Sequence, residues 1–265
     1  MRLTVIGFAL LILYGCVPPD RPSPPDTPQP KEVIDLGALI TEDLPERLWG
    51  RRFASEMGFD TNNVFDVIHW EYADGAVRGS NSFYTLFNHG GPHVDAPNHV
   101  GLGRGVGSYS FEAFSGPLRV VDVSHFESGY TVPVEAFEGH DIRPGDIVAI
   151  YTAYAPPQTD NEYPVSVTLT REAAEYLAEI PVRAFVTDGW SDPPGTSYPG
   201  PVPAESEIAR AIPIHHSFLS RGIPIYETMF NLDRLLDKEN MYFVGPPLNI
   251  EDGDGMMVRP AVLVY

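Results

Sequence analysis

Along this 265-residue chain, apolar residues fall in short runs separated by Gly, Pro, Asp or Asn. The runs "VFDVIHWEY", "SFYTLFN", "LRVVDVS", "DIVAIYTAY", "VRAFVTD", "IPIYE", "MYFVG" and "AVLVY" are rich in β-branched and aromatic residues, and each predicts a strand. One segment has a different period. In "TREAAEYLAEI", Ala173, Ala174, Leu177 and Ile180 recur at the spacing of a helix face, with Thr170 as N-cap ahead of acidic Glu172. "IHHSFLSRG" predicts a second, shorter helix closed by Gly222. No internal repeat or second proline-rich linker interrupts residues 32–265, so the pattern predicts one mixed α/β domain with more strand than helix.

The start of the chain differs in composition. "MRLTVIGFALLILYGCVPPD" carries Arg2 and then about a dozen apolar residues, fewer than the roughly twenty that a membrane-spanning helix needs, so residues 1–15 read as an export signal. They end in "LYGC", where Cys16 follows a small residue; the arrangement looks like a lipoprotein signal, with Cys16 lipidated and becoming the mature N-terminus. An ordinary secretory peptide with an incidental cysteine is the alternative. Residues 17–31 hold seven prolines, and that composition favours a semi-rigid polyproline II spacer, so residues 16–31 would tether the domain. The expected location is the extracytoplasmic face of a membrane, reached through the lipid on Cys16. A single cysteine also leaves no partner for an internal disulfide.

Charge narrows the choice of partner. With 17 basic and 36 acidic residues, the net charge of -19 repels phosphate backbones and anionic lipid headgroups, which argues against nucleic acid as a partner. A hydrophobic content of 43% suffices for a sizeable core.

The densest chemistry lies in "NHGGPHVDAPNHV", residues 88–100, which holds His89, His93, Asp95 and His99. Gly90, Gly91 and Pro92 make a helix costly here, the proline alone by about 3 kcal/mol, and an extended backbone is expected. All four candidates are odd-numbered, so an extended segment would turn them toward one face. Imidazoles and a carboxylate without thiolate suit a borderline divalent ion, Zn²⁺ or Mn²⁺, and the two oxygens of Asp95 could bridge two ions. A glycine-proline turn whose histidines cap backbone groups is the plainer alternative, and the spacing alone does not decide.

"HGGPHVDAPNH" resembles the signature of the cyclase family, which includes bacterial kynurenine formamidases and isatin hydrolases and usually reads His-x-Gly-Thr-His-x-Asp-x-Pro-x-His. The resemblance runs along most of residues 33–260. "VIDLGALITEDLP" is similar to the family's opening strand, "GDIVAIYTAY" and "VRAFVTDGWSD" to its central strands, "IHHSFLSRGIPIYETMFNLDRL" to its second signature, and "PLNIEDGDG" to its closing segment. It implies a single swivelling β/β/α domain of the α/β class with a central mixed sheet. It also implies metal ligands at His89, His93, Asp95, His215 and Glu227, an acid/base at His99, two Zn²⁺ or Mn²⁺ ions, and a homo-oligomer. Counting back from Gly222 selects His215 over His216. Three departures stand out: Pro92 for the usual threonine, Thr228 for the usual asparagine, and "GDGMMVRP" for a small-residue closing loop.

The activity so implied is metal-dependent hydrolysis of a small amide, with N-formylkynurenine, split to kynurenine and formate, as leading substrate. Export favours a cyclic amide or lactone instead, and Pro92 motivates a third reading, a tethered metal-containing binding protein without turnover. Other residues invite plainer expectations. Asp188, Ser191 and Asp192, after a strand, would cap a turn or form a pocket wall; Trp70, Phe83, Tyr84 and Phe87 would pack in the core or line an aromatic site. "GLGRGVGSYS" lacks the spacing of a phosphate loop, and His69, His125 and His140 stand isolated.

Overall fold

The structure, a computed structural model, describes residues 28–41, 43–49, 65–74, 77–159, 162, 164–192 and 205–265. Cys16, the export signal and most of the proline-rich linker lie outside the described residues. In chain order the strands are β1 (Glu32–Asp35), β2 (Phe65–Asp74), β3 (Val77–Leu86), β4 (His93–Asp95), β5 (Ser115–Asp122), β6 (Thr131–Val132), β7 (Ile147–Tyr151), β8 (Thr168–Leu169), β9 (Ala184–Thr187), β10 (Ile225–Glu227), β11 (Met241–Val244), β12 (Gly255–Met257) and β13 (Ala261–Val264). The helices are α1 (Leu44–Trp49), α2 (Arg171–Glu179), α3 (Glu205–Ala211) and α4 (Pro213–Leu219). Among the described residues no helix is long and apolar enough to cross a membrane.

Nine strands form one mixed sheet in the order β1-β13-β11-β5-β7-β9-β10-β4-β12. Its centre, β5-β7-β9-β10, is parallel, and antiparallel strands extend it on both sides. Along β7, Ile147 and Ala149 pack on one face with Val186 and Tyr226, while Val148 and Ile150 pack on the other with Phe185, Leu177 and Phe218. Burial on both faces is why these strands read in sequence as continuous apolar runs rather than as alternation.

Helices α2 and α4 pack against each other over one of these faces. Thr170 caps α2 as expected, its hydroxyl accepting the Ala173 N–H at 3.1 Å, and Ala173, Ala174 and Leu177 are buried beneath it. Pro213 opens α4, a position where its missing N–H costs nothing, and the chain turns back at Gly222 with φ 74°. That turn feeds β10 into the sheet.

The paired β2 and β3 form a separate two-stranded ribbon. Trp70, Phe83 and Tyr84 lie on it at 41%, 65% and 64% exposure, which corrects the expectation that they fill the core. Phe87, just past the ribbon, does pack inward, against a small cluster with Leu44 and Leu48.

Candidate metal centre

Strand β4 is three residues long and sits between β10 and β12. In its register His93 faces Glu227 and Asp95 faces Ile225, while Val94 pairs with Tyr226. Cross-strand partners share a face, so His93, Asp95 and Glu227 project together to the side where Ile225 meets the helices, and Val94 and Tyr226 go to the opposite core. From that helical layer α4 contributes His215. The expectation of one extended segment from 89 to 99 is corrected: only His93–Asp95 is strand, His89 lies in the preceding turn, and His99 lies on a 3₁₀ helix over Pro97–Val100. A turn and a helical turn bring the outer two histidines to the same place.

The predicted residues meet at close range. The Nδ1 of His89 lies 2.9 Å from Asp95 Oδ1, and His93 Nε2 lies 3.4 Å from the same oxygen and 3.7 Å from Glu227 Oε2. His215 Nε2 is 3.5 Å from both Asp95 Oδ2 and Glu227 Oε1. The ring of His99 stands 4.4 Å from that of His89 and 5.3 Å from that of His215. His93, Asp95 and Glu227 are almost wholly buried, whereas the His99 side chain is 30% exposed.

Outer hydrogen bonds decide which ring nitrogen faces inward. The Nδ1 of His93 donates to the Gly91 carbonyl at 2.7 Å; a carbonyl only accepts, so this nitrogen carries the proton and Nε2 keeps its lone pair. Likewise His215 Nδ1 donates to the Asp192 carboxylate, leaving Nε2 for the cluster. Asp192 also accepts the backbone N–H groups of Ile214 and His215, both at 3.0 Å, at the first turn of α4. Glu227 is held by the Ser191 N–H at 2.7 Å. Sequence reasoning left Asp192 and Ser191 between turn capping and a pocket wall. Asp192 does cap, but the N-terminus it caps carries His215, a relation visible only once the chain is folded.

Protonation follows the same pattern. Burial lowers the His89 pKa, but hydrogen bonds and charge from Asp254 and Asp95 outweigh it and push it up to about 9. Burial acts downward on His215 too and is outweighed by Glu227, Asp192 and Asp95. Burial alone would raise Asp95, yet His93, His99, His215 and His89 hold it well below the ordinary carboxylate range. His99 is shifted down, by burial first, against the attraction of Asp95 and with the help of its His89 neighbour.

These residues fit a divalent cation. Both oxygens of Asp95 are buried without a hydrogen bond in acceptable geometry, a costly arrangement for an ionised group. Facing them are the ring nitrogens of His89, His93 and His215; the carboxylates hold His89 and His215 toward the protonated form in the metal-free protein, and a divalent cation would displace those protons and take the inward lone pairs. Ligands about 2.1 Å from a tetrahedral ion are about 3.4 Å apart, close to the spacings of 3.4 to 3.7 Å between His93, His215, Asp95 and Glu227.

Kynurenine formamidase of Bacillus mycoides strain KBAB4 is 27% identical over 180 residues, covering 67% of this chain and 77% of the relative. The solved structure of isatin hydrolase A from Labrenzia aggregata bound to benzyl benzoate superposes with a TM-score of 0.66 at 23% identity, covering 88% of this chain and 93% of that one. An isatin hydrolase bound to the product analogue thioisatinate gives 0.68 at 20% identity, over 88% and 92%. The cyclase family model matches residues 34–192, more than half of the sequence and the part that runs from the first strand through the histidine motif to Asp192; the chain belongs to the cyclase family.

Proposed function

We propose that the protein is a metal-dependent hydrolase that cleaves the C–N bond of small aryl amides, with N-formylkynurenine as the leading substrate. The observation that carries the proposal is the converging set of inward histidine nitrogens around the unpartnered carboxylate of Asp95, with His99 at its open edge. A divalent cation held by His89, His93, Asp95, His215 and Glu227 would polarise a carbonyl and lower the pKa of water.

The chain's own groups supply the rest. With its pKa shifted down, His99 is a neutral imidazole at neutral pH, able to take a proton from the attacking water. Returning that proton to the amide nitrogen as the C–N bond breaks releases formate and a free amine. An apolar wall adjoins the cluster: Leu44, Leu48, Phe87, Trp190 and Phe230 pack together, and the Phe87 ring is 5.7 Å from His89. Such a wall excludes water and accepts an aromatic ring beside the reacting carbonyl. The kynurenine formamidase relative supports the formyl amide reading.

Two groups of possible ligand atoms, His89–Asp95–His99 and His93–Asp95–Glu227, each lie within 4.8 Å of one another and share Asp95. With His99 kept as proton carrier, His89 and Asp95 would hold one ion, and His93, Asp95, His215 and Glu227 would remain to hold a second. Zinc and manganese are the candidates. The test is hydrolysis of N-formylkynurenine and of isatin by zinc-loaded and manganese-loaded protein, with and without chelator. Turnover of isatin alone would select the cyclic amide reading, and failure to turn over any amide, lactam or lactone would overturn the enzyme. The variant His99→Ala should lose turnover and keep its full metal content; loss of an ion instead would make His99 a ligand.

A further inference from the structure

The loop before β12 brings Asp254 to the rim of the site, where its Oδ2 lies 3.1 Å from His89 Nε2 and 3.8 Å from His99 Nδ1. Two anchors fix its position. Its Oδ1 accepts the Asn88 side-chain N–H at 2.7 Å, and its backbone carbonyl accepts the Ala96 N–H at 2.8 Å, directly after Asp95. Asn88 also donates to the Gly255 carbonyl at 3.2 Å. The carboxylate is therefore not a loop-tip charge that happens to pass by.

We infer that Asp254 is a positioning residue that sets the tautomers of two histidines with different tasks. This rests on the metal-hydrolase reading above. For His89, the ring nitrogen facing Asp95 is Nδ1; a cation held beside Asp95 would need the Nδ1 lone pair, so the ring's hydrogen would reside on Nε2, with Asp254 as the acceptor that holds it there. In this respect Asp254 does for His89 what Gly91 does for His93 and Asp192 does for His215. The same oxygen lies 3.8 Å from Nδ1 of His99, beyond a direct hydrogen bond, and its negative charge favours a hydrogen on that nitrogen. A hydrogen kept on that nitrogen leaves the His99 Nε2 lone pair as the one free to take a proton from water. One carboxylate thus orders a ligand and a proton carrier at once.

The test uses zinc-loaded protein labelled with ¹⁵N-histidine, in wild type and in Asp254→Asn and Asp254→Ala. Long-range ¹H–¹⁵N spectra should show the wild-type His99 ring with its hydrogen on Nδ1 and the His89 ring with its hydrogen on Nε2. In Asp254→Ala, His99 should become a mixture of tautomers, zinc affinity should fall about 10- to 100-fold, and kcat should fall more than KM rises. Asp254→Asn keeps the shape and one accepting oxygen, so its losses should lie between the two, and it remains informative if the alanine variant does not fold. Unchanged tautomers and zinc affinity in both variants would overturn the inference while leaving the hydrolase reading intact. Failure of wild type to bind zinc or to turn over any amide would instead sink that reading.

Discussion

Asp192 holds His215 twice, through the backbone N–H at 3.0 Å and through the ring Nδ1–H. The first bond starts helix α4 and the second aims the imidazole, so one side chain couples the folding of a helix to the placing of a proposed ligand.

Asp192→Ala should therefore lose on both counts. Two helix N–H groups and a buried imidazole N–H are left without an acceptor, each such loss costing about 1–3 kcal/mol, and metal affinity should drop about 10- to 100-fold. Urea denaturation and competitive metal titration measure the two effects separately. A variant that loses stability but binds metal as tightly as wild type would show that the ring is aimed by packing alone.

Thr228 has φ 58°, an unfavourable value for a β-branched residue. Its hydroxyl reaches the Gly91 carbonyl at 2.8 Å and the Glu227 carbonyl at 2.7 Å, and it has one hydrogen to share between them. Thr228→Val keeps the branched side chain and removes only that hydrogen bond, so it should cost about 1–2 kcal/mol in urea denaturation. Thr228→Asn, which tolerates the left-handed region, should be at least as stable as Thr228→Val. Equal stability of Thr228→Val and wild type would deny the hydroxyl any structural part.

Gly255 is opposite Asp95 in the sheet, and a Cβ there would come within 2.6 Å of His89 Cε1 and 2.9 Å of the Val94 carbonyl oxygen. Gly255→Ala must push the His89 ring or part the strands. Overpacking of this kind costs about 1–3 kcal/mol, and zinc binding should weaken by at least about tenfold because the displaced ring is a ligand. Isothermal titration with zinc checks this; wild-type affinity would remove His89 from the ligand set.

The metal-free protein should depend on pH in a set direction. His89 is raised in the folded state to about 9 from an ordinary 6.5, so its protonated form contributes stability that is complete below about pH 6.5 and is lost as pH rises through about 9. Chelator-treated protein should melt at progressively lower temperature across that interval. With zinc bound the ring is already deprotonated, the loss disappears, and apparent metal affinity rises with pH over the same range. A melting curve for chelated protein that is flat or rising from pH 6.5 to 9 contradicts this.

Much of the fold was legible because the central strands β7, β9 and β10 are buried on both faces and the main helix is strongly periodic; β7, β9, β10, β11 and β13 lie within apolar runs, β5 overlaps one, and α2 lies within its predicted segment. The short β4 and β12 were not, since three residues carry no period and their pairing is set by partners far along the chain. The six chemical positions were legible as residue types at motif spacing, but the reason for their convergence was misread. Asp192 and Asp254 lay beyond sequence reasoning, because an aspartate that orients a histidine 23 or 165 positions away looks like any loop carboxylate until both are placed. Folding also joins two of the departures from the usual motif: the hydroxyl of Thr228 donates to the carbonyl of Gly91, the residue before Pro92.

Strand β4 has only three residues, yet neighbours on both sides fix its alignment, Glu227 against His93 and Gly255 against Asp95. Sliding it by one position would send both side chains to the opposite face and put Val94 among the ligands. Under the proposed metal-hydrolase reading, a cation would therefore proofread the sheet: a chain that has paired this strand out of step would have no place for the ion, and metal uptake during refolding would report when the correct alignment has been reached.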